Sequence, residues 1–157
     1  MKRTALLLLL TAAALMCLTG CQHDLVEDTT SARFEGYWET IKVRSGENVF
    51  EEYYLDPQIP ISAVYSLAIA HDGTGYLDSP MAKLYGEENK QAFNWKDEEG
   101  QLRLYGESDT DVLTLDYSEG KLVMQPDADT EIWFGKVSKL SYFDPSQVTA
   151  AAGGETE

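Results

Sequence analysis

From Phe34 to Val137 apolar and polar positions alternate in short runs, each bounded by Gly, Asn, Asp, Ser or Pro. Side chains along a strand point to opposite faces with period two, so these runs read as strands and their boundaries as turns. The pattern predicts strands over residues 37–43, 49–55, 64–70, 76–77, 92–96, 101–105, 112–117, 121–125 and 130–137. Tyr65, Leu67 and Ile69 share one face, as do Leu102 with Leu104 and Leu113 with Leu115. Tight turns at 45–48, 71–75, 97–100 and 118–120 join them, and Asp56-Pro57 with Pro60 marks an irregular connection. Residues 81–91 hold the only stretch with helical character.

Short strands at regular spacing argue for an all-β domain, an antiparallel up-and-down meander of about eight strands. A long meander exposes two edges, and closing it into a small β-barrel removes both. An eight-stranded barrel is either just filled by side chains or holds one small ligand. The candidate lining is Tyr65, Leu67, Ile69, Leu104, Leu115, Met124 and Phe134, joined by Leu102, Leu113, Leu122 and Ile132. In one reading these residues surround a small apolar or amphipathic ligand. In the other they fill the barrel, and its outer surface meets a protein partner through an aromatic patch such as Tyr53, Tyr54 and Tyr105.

The N-terminus carries different information. Lys2 and Arg3 precede an apolar run from Ala5 to Leu15, followed by small residues, which is the build of a secretory leader. The run is too short to span a bilayer, which takes roughly 20 apolar residues. Leu18-Thr19-Gly20-Cys21 resembles the lipobox of bacterial lipoproteins. That resemblance implies cleavage before Cys21, acylation of Cys21 with palmitate-type chains, and a membrane partner reached through the lipid. Two or more chains anchor stably. The implied organisation is a signal peptide over 1–20, a lipidated cysteine and acidic tether over 21–31, the barrel over 32–143 and a disordered tail over 144–157. Asp24, Glu27 and Asp28 read as part of a solvated linker, or as resembling the surface-export signal of some Gram-negative groups. The expected address is the cell envelope, on the outer membrane or cell surface.

Charge narrows the partners. The chain has 12 basic and 27 acidic residues, a formal net charge of −15, and every acidic residue lies after Gly20. Such a surface repels phosphate backbones and anionic headgroups, so nucleic acid is excluded as a partner. The only cysteines are Cys17, lost with the leader, and Cys21, so the exported domain has no disulfide.

A second resemblance lies at Phe34-x-Gly36-x-Trp38. Gly-x-Trp on the first strand resembles the lipocalin signature. The Asp72–Gly75 turn, Phe93-x-Trp95, Leu102-x-Leu104 and the closing Lys136-Val137 are similar to small lipocalin-like (calycin-type) bacterial lipoproteins. The resemblance implies that Trp38 sits at the closed end of the barrel with a basic residue stacked on it, Lys136 first and Lys139 as the alternative. Trp38 reads equally as plain core.

No catalytic constellation stands out, and the expected protein is a non-catalytic binding module without cofactor or metal. His23 lies in the tether and His71 opens a turn. Zinc-type Cys/His spacing, a Gly-x-Ser-x-Gly elbow and a phosphate loop are all missing from the sequence. Carboxylates cluster at Asp109/Asp111, Asp127/Asp129 and Glu98/Glu99 without the spacing of a calcium loop.

Overall fold

The structure is a computed structural model that describes residues 31–107 and 112–148. The leader, Cys21, the tether through Thr30, Asp109/Asp111 and the end of the tail lie outside them. The strands are β1 (Gly36–Ser45), β2 (Asn48–Phe50), β3 (Tyr53–Tyr54), β4 (Asp56–Pro60), β5 (Ser66–Ile69), β6 (Thr74–Asp78), β7 (Gln91–Glu98), β8 (Gln101–Tyr105), β9 (Val112–Ser118), β10 (Lys121–Met124) and β11 (Thr130–Val137). Among the described residues no helix is long and apolar enough to cross a membrane.

β5 to β11 pair in sequence order as antiparallel neighbours, and β1 joins β5 on one side and β11 on the other. The result is the closed eight-stranded up-and-down barrel that the alternation predicts. β1 makes closure possible by changing partner along its length. Its first half, from Gly36 to Glu39, pairs with Ile69 to Ser66 of β5, and its second half pairs with β2. β11 follows β1 throughout, with a register shift between Thr40 and Lys42 that leaves Ile41 bulged. A bulge bends its strand and raises the local twist. Thr40 closes the seam at the bend: its N–H and Oγ1 both donate to the Tyr65 carbonyl, and Oγ1 accepts from the Tyr65 N–H.

The excursion between β1 and β5 differs from expectation. In place of one strand over 49–55, β2 stops at Phe50, and β3 folds back on β4 as a separate two-stranded ribbon. Leu55 makes the reversal with φ 62, a left-handed conformation that costs a β-carbon roughly 1–2 kcal/mol. Pro57 and Pro60 sit in β4, an edge strand that tolerates a missing donor. Residues 81–91 form no α-helix; a 3-10 helix over Pro80–Tyr85 ends at Gly86, whose φ of 75 stops the coil.

Asp144 caps a 3-10 turn over Pro145–Gln147, accepting from the Ser146 N–H at 3.0 Å and its hydroxyl at 2.7 Å. Phe143 and Val148 pack with Ile59 and Ala63 in a small second cluster outside the barrel. The segment is tied down where the Ser141 N–H and hydroxyl donate to the carboxylate of Glu39, an outward residue of β1 that is buried.

Inside, Gly75 of β6 is required by packing: a Cβ there would overlap the Phe93 ring and the Ala68 carbonyl. Its absence lets Phe93 reach across β6 toward the barrel axis.

Candidate functional site

The interior is one contiguous cluster of buried side chains that includes most of the predicted lining. A side chain beside a void large enough for water keeps accessible surface. Leu67, Leu115 and Phe134 keep 0%, as do Leu102 and Leu122; Ile69, Leu104, Met124 and Ile132 keep 3–4%. Leu67, Leu102, Leu115, Leu122 and Phe134 touch neighbouring side chains rather than a cavity. Tyr65 lies one residue before β5, half-buried against the cluster, and Leu113 is half-buried too. A notch of about 70 Å³ remains beside Leu77, Phe93, Leu104 and Leu113. Small-molecule sites are typically about 300–1,000 Å³.

One end of the barrel is plugged by residues around the first strand. Trp38 is 1% exposed, and its indole N–H donates to the Phe34 carbonyl at 2.8 Å. Lys136 Nζ lies 5.4 Å from the Trp38 ring centroid and donates to the Arg33 carbonyl at 3.2 Å. Gly36 makes room for that lysine: a Cβ would come 3.2 Å from Lys136 Cε, and its φ of 113 suits glycine alone. Gly36, Trp38 and Lys136 are therefore brought together, with Lys136 as the basic residue on the indole. Sequence reasoning missed Arg33. Its guanidinium lies 4.6 Å from the Phe34 centroid and 5.0 Å from that of Tyr117, and it pairs with Asp97 at 3.1 Å. Phe34 meets Tyr117 and Trp95 edge to face at 5.4 and 6.3 Å. This end has aromatic packing and a guanidinium that pairs with Asp97 through one nitrogen while its buried Nε has no hydrogen-bond partner, an arrangement that suits a structural plug.

The outer wall carries the more open geometry. Register places Tyr37 of β1 opposite Ala68 of β5, and Ala68 opposite Tyr76 of β6. Trp38, Leu67 and Leu77 of the adjacent row face inward, so this row faces out. The two tyrosines flank a groove of about 440 Å³ over Ala68, Ala70 and Thr74. A second depression of about 380 Å³ shares Thr74 and Gly75 and continues past Ala92 and Asn94 to Tyr105. Of the aromatic residues singled out from sequence, only Tyr53 is exposed; Tyr54 packs edge to face on Phe50 at 5.2 Å, and Tyr105 lies on a different part of the wall. Alternation alone marks Tyr37 and Tyr76 as outward; only the strand register makes them neighbours across one alanine.

The titratable groups are engaged in turns and pairs. His71 Nδ1 lies 2.8 Å from Glu35 Oε1. Asp72 accepts from the Thr74 hydroxyl at 2.6 Å and N–H at 3.0 Å, and these bonds hold its carboxyl below the ordinary value. Asp127, chiefly through the Asp129 N–H, and Asp144, chiefly through the Ser146 hydroxyl, are lowered in the same way. Glu98 accepts from the Tyr105 hydroxyl at 2.5 Å, which raises the phenol, and pairs with Arg103 at 3.1 Å. Among the described residues no three His, Cys, Asp or Glu side chains converge as metal ligands. Comparison with protein-family models, curated proteins and solved structures gave no match, so fold and geometry carry the functional argument.

Two outcomes test this description. Leu115→Phe inserts extra volume where no space exists and lowers stability by about 1–3 kcal/mol in urea unfolding; unchanged stability would mean a hidden cavity. Asp72 has a lowered folded pKa, so its contribution is complete above about pH 4 and is lost as pH falls through the lowered value. Asp72→Asn therefore loses less stability than the native protein between about pH 5 and pH 2, read as the change in urea midpoint.

Proposed function

We propose that the chain is a lipid-anchored lipoprotein of the bacterial cell envelope, with a lipocalin-like barrel that acts as a non-catalytic binding module. The anchor reading rests on Lys2-Arg3, the apolar run and Leu18-Thr19-Gly20-Cys21 in that order. Cys21 carries the acyl chains and Gln22 to Ser31 hold the domain off the bilayer.

Binding takes place on the outside of the barrel. The observation that carries this is the absence of accessible surface on Leu67, Leu102, Leu115, Leu122 and Phe134, which leaves an apolar guest no room among them. A lumen carrier would need those side chains to part, forfeiting close packing through the centre of the fold. The outer wall needs no rearrangement. It presents grooves beside Tyr37, Tyr76 and Tyr105, and elsewhere Leu55, Tyr85 and Tyr142 stand largely exposed. This supports the interaction reading, in which a filled barrel meets an envelope component, over carriage of a small apolar ligand.

The test of the anchor is metabolic labelling with radioactive palmitate in a bacterial host. The native chain takes up label and fractionates with membranes; Cys21→Ser takes up none and leaves the membrane fraction after leader cleavage or stalls as precursor. Label on the Cys21→Ser protein would refute the assignment.

A further inference from the structure

The groove between Tyr37 and Tyr76 is built in a way that selects a ligand class. Its two walls stand two strands apart, about 9.5 Å between backbones, with Ala68 as the floor between them. Tyr37 is 43% exposed while Ala68 keeps only 9%, so the tyrosine is available and the floor lies deep. The groove between the tyrosines is lined without a charged side chain, on a protein whose net charge is −15, and the second depression has one carboxylate, Glu107, in its lining.

Charge argues against ionic guests of either sign. An anion meets the acidic field of the whole molecule, with Glu35 and Asp72 close in sequence to the lining residues Gly36 and Thr74. A cation on Tyr76 would share the ring with Lys90, whose ammonium already sits 3.7 Å from its centroid. Backbone pairing argues against an added peptide strand. β5 is bonded to β1 on one side and β6 on the other, so no strand edge is free at the floor. An alkyl chain gains from complete removal from water, and an open groove leaves one side wet.

A sugar ring fits what remains. A pyranose has an apolar C–H face, which packs on a tyrosine ring, and a rim of hydroxyls that stays in water or meets polar groups. Tyr37 supplies an exposed ring with a hydroxyl tip, Tyr76 a half-buried ring that Lys90 covers on one side, and the rim supplies Thr74. We propose that this groove binds an uncharged oligosaccharide of pyranose units, and that the chain extends over Thr74 and Gly75 into the depression beside Asn94 and Tyr105. This rests on the outer-surface binding module proposed above and names its ligand class. The shared Thr74 and Gly75 make the two depressions one path, so longer oligomers bind tighter than short ones.

The experiment is calorimetric titration of the full-length protein, purified in a detergent without a sugar headgroup, with maltose-, cellulose- and N-acetylchitin-type oligomers of two and six units. At least one uncharged series binds, with the hexamer tighter than the dimer. Tyr37→Ala and Tyr76→Ala each weaken the hexamer about tenfold, whereas Tyr53→Ala, which removes an exposed tyrosine on β3, does not. Asn94→Ala reduces the gain from dimer to hexamer. Both tyrosines point outward, and unchanged thermal unfolding of their variants separates lost binding from lost folding. Failure of all three uncharged series, binding indifferent to Tyr37 and Tyr76, or binding confined to charged glycans such as polygalacturonate or to a basic peptide overturns the proposal. The palmitate experiment is independent of these results, so failure here with Cys21-dependent labelling intact overturns the saccharide assignment and leaves the anchored module standing.

Discussion

The pairing of β1 with β11 is the constraint on which the remaining structure depends. It joins the first and last strands of the meander from Tyr37↔Val137 to Ser45↔Thr130, removing two sheet edges. The bulge at Ile41 lets one strand serve two neighbours on its other side, β5 before the bend and β2 after it. Thr40 sits at that change of partner and ties it to Tyr65. Closure also fixes which residues are inside. Once Trp38 and Phe134 are committed to the axis, every second residue on the other strands must fill the space between them.

That space is small. Leucines, Met124, Ile132 and the rings of Phe34, Trp38, Phe93, Trp95 and Phe134 pack into one cluster, and Arg33 with Lys136 covers the end nearest Trp38. The domain has no disulfide to hold it, since both cysteines precede it. Close packing is then its main source of stability, and a cavity would be costly: each void forfeits contacts that nothing else replaces. Stability without cross-links and a lumen for cargo are in this sense opposed. The open geometry lies on the wall instead, where small outward residues such as Ala68, Ala70 and Ala92 leave depressions between tyrosines.

Much of the barrel was legible because its signals are local. Gly120 and Gly100 mark turns whatever surrounds them, and the alternation in Leu102-Arg103-Leu104 states its own inner face. The strands over Gln101–Tyr105 and Thr130–Val137 coincide with expectation. What was hidden depends on contacts distant in sequence. Nothing local reveals that Leu55 adopts a left-handed turn, or that the tail past Asp144 finds Ile59 and Ala63. Arg33 was obscured because its partners Asp97 and Tyr117 come from other hairpins. Alternation points Leu67, Leu104 and Leu115 to one face, yet whether such residues line or fill a barrel is a question of volume that alternation cannot answer. The groove needed the register between three strands.

The most direct measurement is the mass of the protein recovered from its native host, under native and then denaturing conditions. A filled barrel predicts that the two spectra differ by no apolar molecule. An additional apolar molecule, present in the native spectrum and released by denaturation, would show that the centre of the barrel opens to hold cargo and would contradict the account.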